Sequence, residues 1–119
     1  MSRRKFETIN LAHLEKLTNH NQEKIGKYIE IFLRNLSTDL VDLKQHAIEQ
    51  DWAGVKKVAH KMKGTTSYMG IKELETIFVS AQYLCEDEVN TAEFSKTLTR
   101  IEALCEVAVK ELTEVKENL

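Results

Sequence analysis

The chain has 119 residues, room for one domain over residues 1–119. Its 17 positive and 19 negative side chains leave a formal net charge of −2, which speaks against a general binder of nucleic-acid backbones. Apolar residues at 42% and charged ones at 30% describe a soluble globular chain, and no run approaches the roughly 20 apolar residues that a membrane span requires. The start, Met1-Ser2-Arg3-Arg4-Lys5, is basic but leads into no apolar signal core, so a cytoplasmic protein is expected. With no proline and four glycines, the chain lacks the turn formers of an all-β fold.

Helical periodicity runs through almost the whole sequence. A short first segment carries Ile9, Leu11, Leu14 and Leu17, enough for two or three amphipathic turns before polar Thr18-Asn19-His20-Asn21 interrupts it. A long second helix repeats Ile25, Ile29, Phe32, Leu36, Leu40, Leu43 and Ala47 at three- and four-residue steps and ends near Glu49. Asp51 is suited to cap a third helix whose inward face is Val55, Val58, Met62 and Met69, with Ala59 and Thr66 at its border and Gly70 either stopping or bending it. Leu74, Ile77, Phe78, Ala81, Leu84 and Cys85 mark a fourth helix, closed by acidic Glu86-Asp87-Glu88. Asn90 followed by Glu93 has the capping-box pattern and opens a fifth helix through Phe94, Leu98, Ile101, Cys105, Ala108, Leu112 and Val115. The fold expected is all-α: an antiparallel up-down four-helix bundle with a short additional N-terminal helix.

The third helix carries the chemistry. At 100° per residue, with His60 at zero, Val58, Met69, Met62 and Val55 fall at about 160°, 180°, 200° and 220°, so the imidazole faces away from the core. Lys63, Gly64 and Ser67 lie on its own side, and Lys56, Lys57 and Lys61 fall within about 100° of it. Gly64 in a helix interior costs about 1 kcal/mol relative to alanine, so a helix serving only to pack would gain by replacing it. Its missing side chain leaves one flank of the ring open to another protein's active site. An imidazole in water is largely neutral at neutral pH, so a nucleophilic nitrogen is available without a second base. An anionic group delivered to it would meet the Lys63 ammonium.

The other reactive residues suggest nothing comparable. Cys85 and Cys105 have no Cys-x-x-Cys spacing and sit among apolar neighbours, as reduced core thiols do. His13, His20 and His46 lack metal-ligand spacing with any carboxylate and are expected at the surface, so no metal site is expected. No phosphate-cradling glycine loop is present, which removes an ATP-driven kinase.

The run Ala59-His60-Lys61-Met62-Lys63-Gly64-Thr65-Thr66-Ser67-Tyr68-Met69-Gly70 resembles the signature of histidine-containing phosphotransfer (HPt) domains, with histidine, lysine and both glycines in register. Thr65 and Thr66 depart from the usual serine or alanine. The resemblance implies a relay protein of a multistep two-component pathway, whose partners are response-regulator receiver domains and a hybrid histidine kinase. It implies that His60 is the phosphoacceptor, Lys63 the charge that stabilises phosphoryl oxygens, and Gly64 the steric opening. Gln82 matches a glutamine that orients the imidazole in some members. Lys56, Lys57, Lys61, Gly64 and Ser67 then belong to the receiver-docking surface, extended by apolar residues of the first helix and the start of the second. The chain is expected to act as a monomer without a cofactor of its own, the receiver supplying Mg²⁺. Two rivals stand beside this reading: a bundle that serves as a non-phosphorylated adaptor, and the dimerisation bundle of a histidine kinase. The second expects a proline soon after the histidine, and this sequence has none.

Overall fold

Local chemistry sets the boundaries of each element. The structure, a computed structural model, describes residues 9–119; the basic start at residues 1–5 lies outside the described residues. Among the described residues all regular structure is helical: α1 (Ala12–Leu17), α2 (Gln22–Ile48), α3 (Trp52–Tyr68), α4 (Lys72–Leu84) and α5 (Thr91–Glu117). Asn21, Asp51 and Asn90 each place a side-chain oxygen on a backbone N–H of the first turn that follows, at 3.0, 3.0 and 3.1 Å. The caps expected at Asp51 and Asn90 are therefore present. α1 is shorter than its apolar spacing suggested, because Asn10 Oδ1 accepts from Ala12 N and starts the helix only there.

α2 and α5 have 27 residues each, roughly 40 Å of helix, and set the long axis of a body measuring 48 × 20 × 19 Å. α3 packs against α2 and α4, and α5 against α4 and α2, so the four long helices close a ring around one core. Val55, Met62, Leu74, Phe78, Ile101 and Leu112 from three of those helices are fully buried there, with Ile29 and Leu43 from α2. Trp52 meets Phe94 edge to face at 5.1 Å between ring centroids and ties the start of α3 to the start of α5.

Two faces differ from the sequence expectation. On α2 the buried position is Asp39, and Leu40 and Ala47 are only half-buried. On α3, Ala59 and Thr66 are fully buried while Val58 is only half-buried. The core direction of α3 thus lies near 220–240° on the wheel, about 40° from the direction expected, because the helix is sandwiched between two neighbours. Small side chains at 59 and 66 allow that approach.

Gly70 ends α3 with φ of +65°, a left-handed conformation that disfavours any side chain. A Cβ there would lie 2.0 Å from the Asn10 carbonyl oxygen, so the glycine also admits the backbone that leads into α1. His13 on α1 then stacks at a tilt on Tyr68, with centroids 6.1 Å apart. Together these contacts seat α1 against the C-terminal end of α3.

Both cysteines are free thiols. Burial, with a smaller push from Glu102, moves the Cys105 thiol from 9.0 up to about 12; burial also raises Cys85, partly offset by Lys56. A raised native value means that Cys105 contributes stability in full below about pH 9 and loses it as pH climbs toward 12. Chemical denaturation from about pH 8 to about pH 10 is expected to show the wild-type chain losing stability faster than Cys105→Ala, by up to about 1.4 kcal/mol per pH unit. Parallel profiles for the two proteins would contradict this.

Candidate functional site

The rotation of α3 decides what its outer side presents. His60 and Gly64 are exposed, one turn apart, and Gly64 is almost opposite the observed core direction. A Cβ built on Gly64 meets nothing within 4 Å among the described residues, so the opening there is not a close helix contact. His60 has no hydrogen-bond or ion-pair partner among the described residues. Ser67 and Tyr68 continue the exposed strip, Tyr68 at 55% exposure.

The glycine sits in a continuous helix and is followed by two threonines. Thr65 Oγ1 donates to the Met62 carbonyl and Thr66 Oγ1 to the Lys63 carbonyl, each at 3.0 Å. Both back-bonds reach three residues back across Gly64. The two threonines therefore satisfy their hydroxyls locally and put no polar group in front of the histidine.

The four lysines around His60 divide into two kinds. Lys56 Nζ lies 3.0 Å from Glu86 on the turn after α4, and Lys61 Nζ lies 3.0 Å from Asp39 on α2. Lys57 and Lys63 have no carboxylate partner among the described residues. Lys57 is exposed, and Lys63 is half-buried at the edge of the core stripe. The positive collar expected from the sequence is thus two free ammonium groups and two already neutralised ones.

Gln82 is half-buried on α4, and its amide donates to the Phe78 carbonyl at 3.4 Å; no hydrogen bond joins it to His60. His13 and His20 are exposed as expected, but His46 is half-buried and bonded through Nδ1 to Asp51 Oδ2 at 3.0 Å. Gly54 leaves room for that pair, since a Cβ there would lie 2.5 Å from His46 Nδ1. His46 is therefore part of the cap of α3. No group of three His, Cys, Asp or Glu among the described residues could hold a metal ion. No helix there is long and apolar enough to cross a membrane.

Beside Gly64 the structure shows a feature that the sequence did not identify residue by residue. Leu17 of α1, Tyr28, Ile31 and Asn35 of α2, and Thr65 and Tyr68 of α3 line a groove of about 330 Å³. Leu17, Tyr28 and Ile31 are 51%, 45% and 45% exposed, an unusual amount of large apolar surface in one place. Lys24 and Lys27 stand at the continuation of the groove past Tyr28. The spacing Tyr28, Ile31 along α2 was the available signal: a large apolar pair displaced from the main stripe.

Because Gly64 is exposed, helical and uncontacted, Gly64→Ala is expected to raise stability by about 1 kcal/mol in chemical denaturation. A loss of stability would show that the backbone itself requires glycine.

Neither a curated protein nor a solved structure matches the chain significantly. A family comparison matches residues 27–117 to the Hpt domain. α1 and the first residues of α2 precede the matched segment, whereas His60, Lys63, Gly64 and Gln82 all lie inside it. With most of its length matched, the chain belongs to the Hpt domain family, the histidine phosphotransfer modules of two-component signalling.

Proposed function

We propose that this protein is a cytoplasmic relay in which His60 takes a phosphoryl group from the aspartate of one receiver domain and passes it to the aspartate of another. The observation that carries the reading is the pairing of an exposed, unpartnered imidazole with an unfilled glycine one turn away, on a helix otherwise packed between two neighbours.

The scaffold is read as an antiparallel up-down bundle of α2 to α5 with α1 added at its N-terminal side. Glu30 pairs with Lys116 and Lys44 with Glu102, so residue numbers rise along α2 as they fall along α5. Lys61 on Asp39 and the closeness of Gly54 to His46 give the same opposed sense for α2 and α3. The short turns after Tyr68 and Leu84 reverse the chain between α3, α4 and α5.

In the transfer step the lone pair of a His60 ring nitrogen attacks phosphorus in line. The N–P bond forms as the P–O bond of the aspartyl phosphate breaks, and the bonding pair leaves on the receiver's carboxylate. The proton on the second ring nitrogen stays there or passes to water. Lys63, with no carboxylate partner among the described residues, offsets charge on the transferred oxygens. Lys56 lies a turn before His60 and Glu86 four residues after Gln82, so their ion pair supports a reading in which Gln82 is level with the histidine. At that level Gln82 can orient the imidazole by exchanging its 3.4 Å bond to Phe78. The chain needs no cofactor of its own; the receiver brings the Mg²⁺ that neutralises the phosphoryl group on its side.

The groove lined by Leu17, Tyr28, Ile31 and Tyr68 is read as the apolar part of the docking face, with Lys57, Lys24 and Lys27 steering an acidic partner. Since α1 precedes the family match, Leu17 is a feature through which this chain would select among receivers. The protein acts as a monomer in this reading, because the catalytic face is complete within one chain.

Incubation with a radiolabelled phospho-receiver and Mg²⁺ is expected to label the wild-type chain with an acid-labile, alkali-stable phosphoryl group. His60→Gln is expected to take no label, and Gly64→Gln to take it at least about tenfold more slowly through steric closure. A chain that takes no label from any of several receivers, but still binds one, would instead be an adaptor.

A further inference from the structure

Position 39 breaks the pattern of its helix. α2 buries Ile25, Ile29, Phe32, Leu36 and Leu43, and Asp39 lies on the same stripe at 3% exposure. Among the described residues it is the only buried side chain that carries charge; buried Thr18 and Thr66 donate their hydroxyls to backbone carbonyls. Asp39 Oδ1 accepts from Lys61 Nζ at 3.0 Å, and Oδ2 has no hydrogen-bond partner among the described residues. A carboxylate drawn out of water with one oxygen unsatisfied is costly, and an aliphatic side chain on this stripe would avoid that cost. Packing therefore does not account for it, whereas its partner does: Lys61 adjoins His60, and its side chain is 63% exposed with only its head tied down.

We infer that Asp39 is a positioning residue for phosphotransfer, holding the Lys61 ammonium against α2 and away from a phosphoryl group on His60, so that within the helix only Lys57 and Lys63, and not Lys61, are left to neutralise that group. The inference rests on the relay reading. A relay must surrender its phosphoryl group as readily as it accepts one, and each added cation near the phosphoryl dianion deepens the phosphohistidine state relative to aspartyl phosphate. A freed lysine next to His60 has a stem long enough to swing toward that dianion. Through water at a separation of about 6–8 Å, one such cation shifts an equilibrium by about three- to tenfold.

The test uses a receiver domain that phosphorylates the wild-type chain. At equilibrium, Asp39→Asn, which keeps the size of the side chain but removes its charge, is expected to hold about three- to tenfold more of the label relative to the receiver, with the excess shrinking as salt is raised. Adding Lys61→Gln to Asp39→Asn is expected to return the partition to the wild-type value. A purely structural role would change melting temperature but not this ratio. In the unmutated chain, nitrogen NMR of lysine ammonium groups is expected to show Lys61 immobilised and Lys57 mobile, a measurement that stands even where a variant fails to fold. An unchanged partition in Asp39→Asn, a shift that persists in the double variant, or a Lys61 ammonium as mobile as that of Lys57 would each overturn the inference. No label on the wild-type chain from any receiver would instead overturn the relay reading, and this inference with it.

Discussion

The burial of α3 between α2 and α4 is the constraint on which the rest depends. Val55, Ala59, Met62 and Thr66, with Met69 at the C-terminal cap, must all leave water, and together they occupy one side of a 17-residue helix and its end. What remains outside is a narrow strip running through Lys57, His60, Gly64, Ser67 and Tyr68. The imidazole is held outward by the packing behind it, with no hydrogen bond of its own required for that orientation. Rotating α3 by a single residue position would bring His60 toward α4 or close the space at Gly64, so core packing and the chemistry of the site are one problem.

Most of the helical frame was legible in the sequence because it is governed by local rules. Asp51 and Asn90 cap the helices that follow them, and Gly70 adopts the positive φ that ends α3. The orientation of His60 was legible to first order, since four apolar residues on the far side outweigh an error of about 40° in the core direction. That error arose because Val58 is more hydrophobic than Ala59 or Thr66, yet close approach of two flanking helices favours small side chains. Side-chain volume at a contact is a tertiary property, and periodicity does not report it.

What the sequence concealed was non-local. The collar of lysines looked uniform, and only the fold shows that Lys56 and Lys61 are already neutralised, by partners 30 and 22 residues away. Asp39 was passed over because a charged residue on an apolar stripe contradicts the binary pattern, although its spacing from Leu36 and Leu43 placed it there. The groove beside Gly64 draws on three helices, one of them outside the family match. Gln82 is half-buried on α4, and its amide points to the Phe78 carbonyl. The division follows the physics: chemistry set by neighbours in the chain can be read directly, and chemistry set by neighbours in space cannot.

A relay through the exposed strip of α3 modifies one imidazole of the four. Site mapping by mass spectrometry, performed under alkaline conditions after exposure to a phospho-receiver, is expected to find the phosphoryl group on His60 and unmodified rings at His13, His20 and His46; phosphate on any of those three, with His60 unmodified, would refute the assignment.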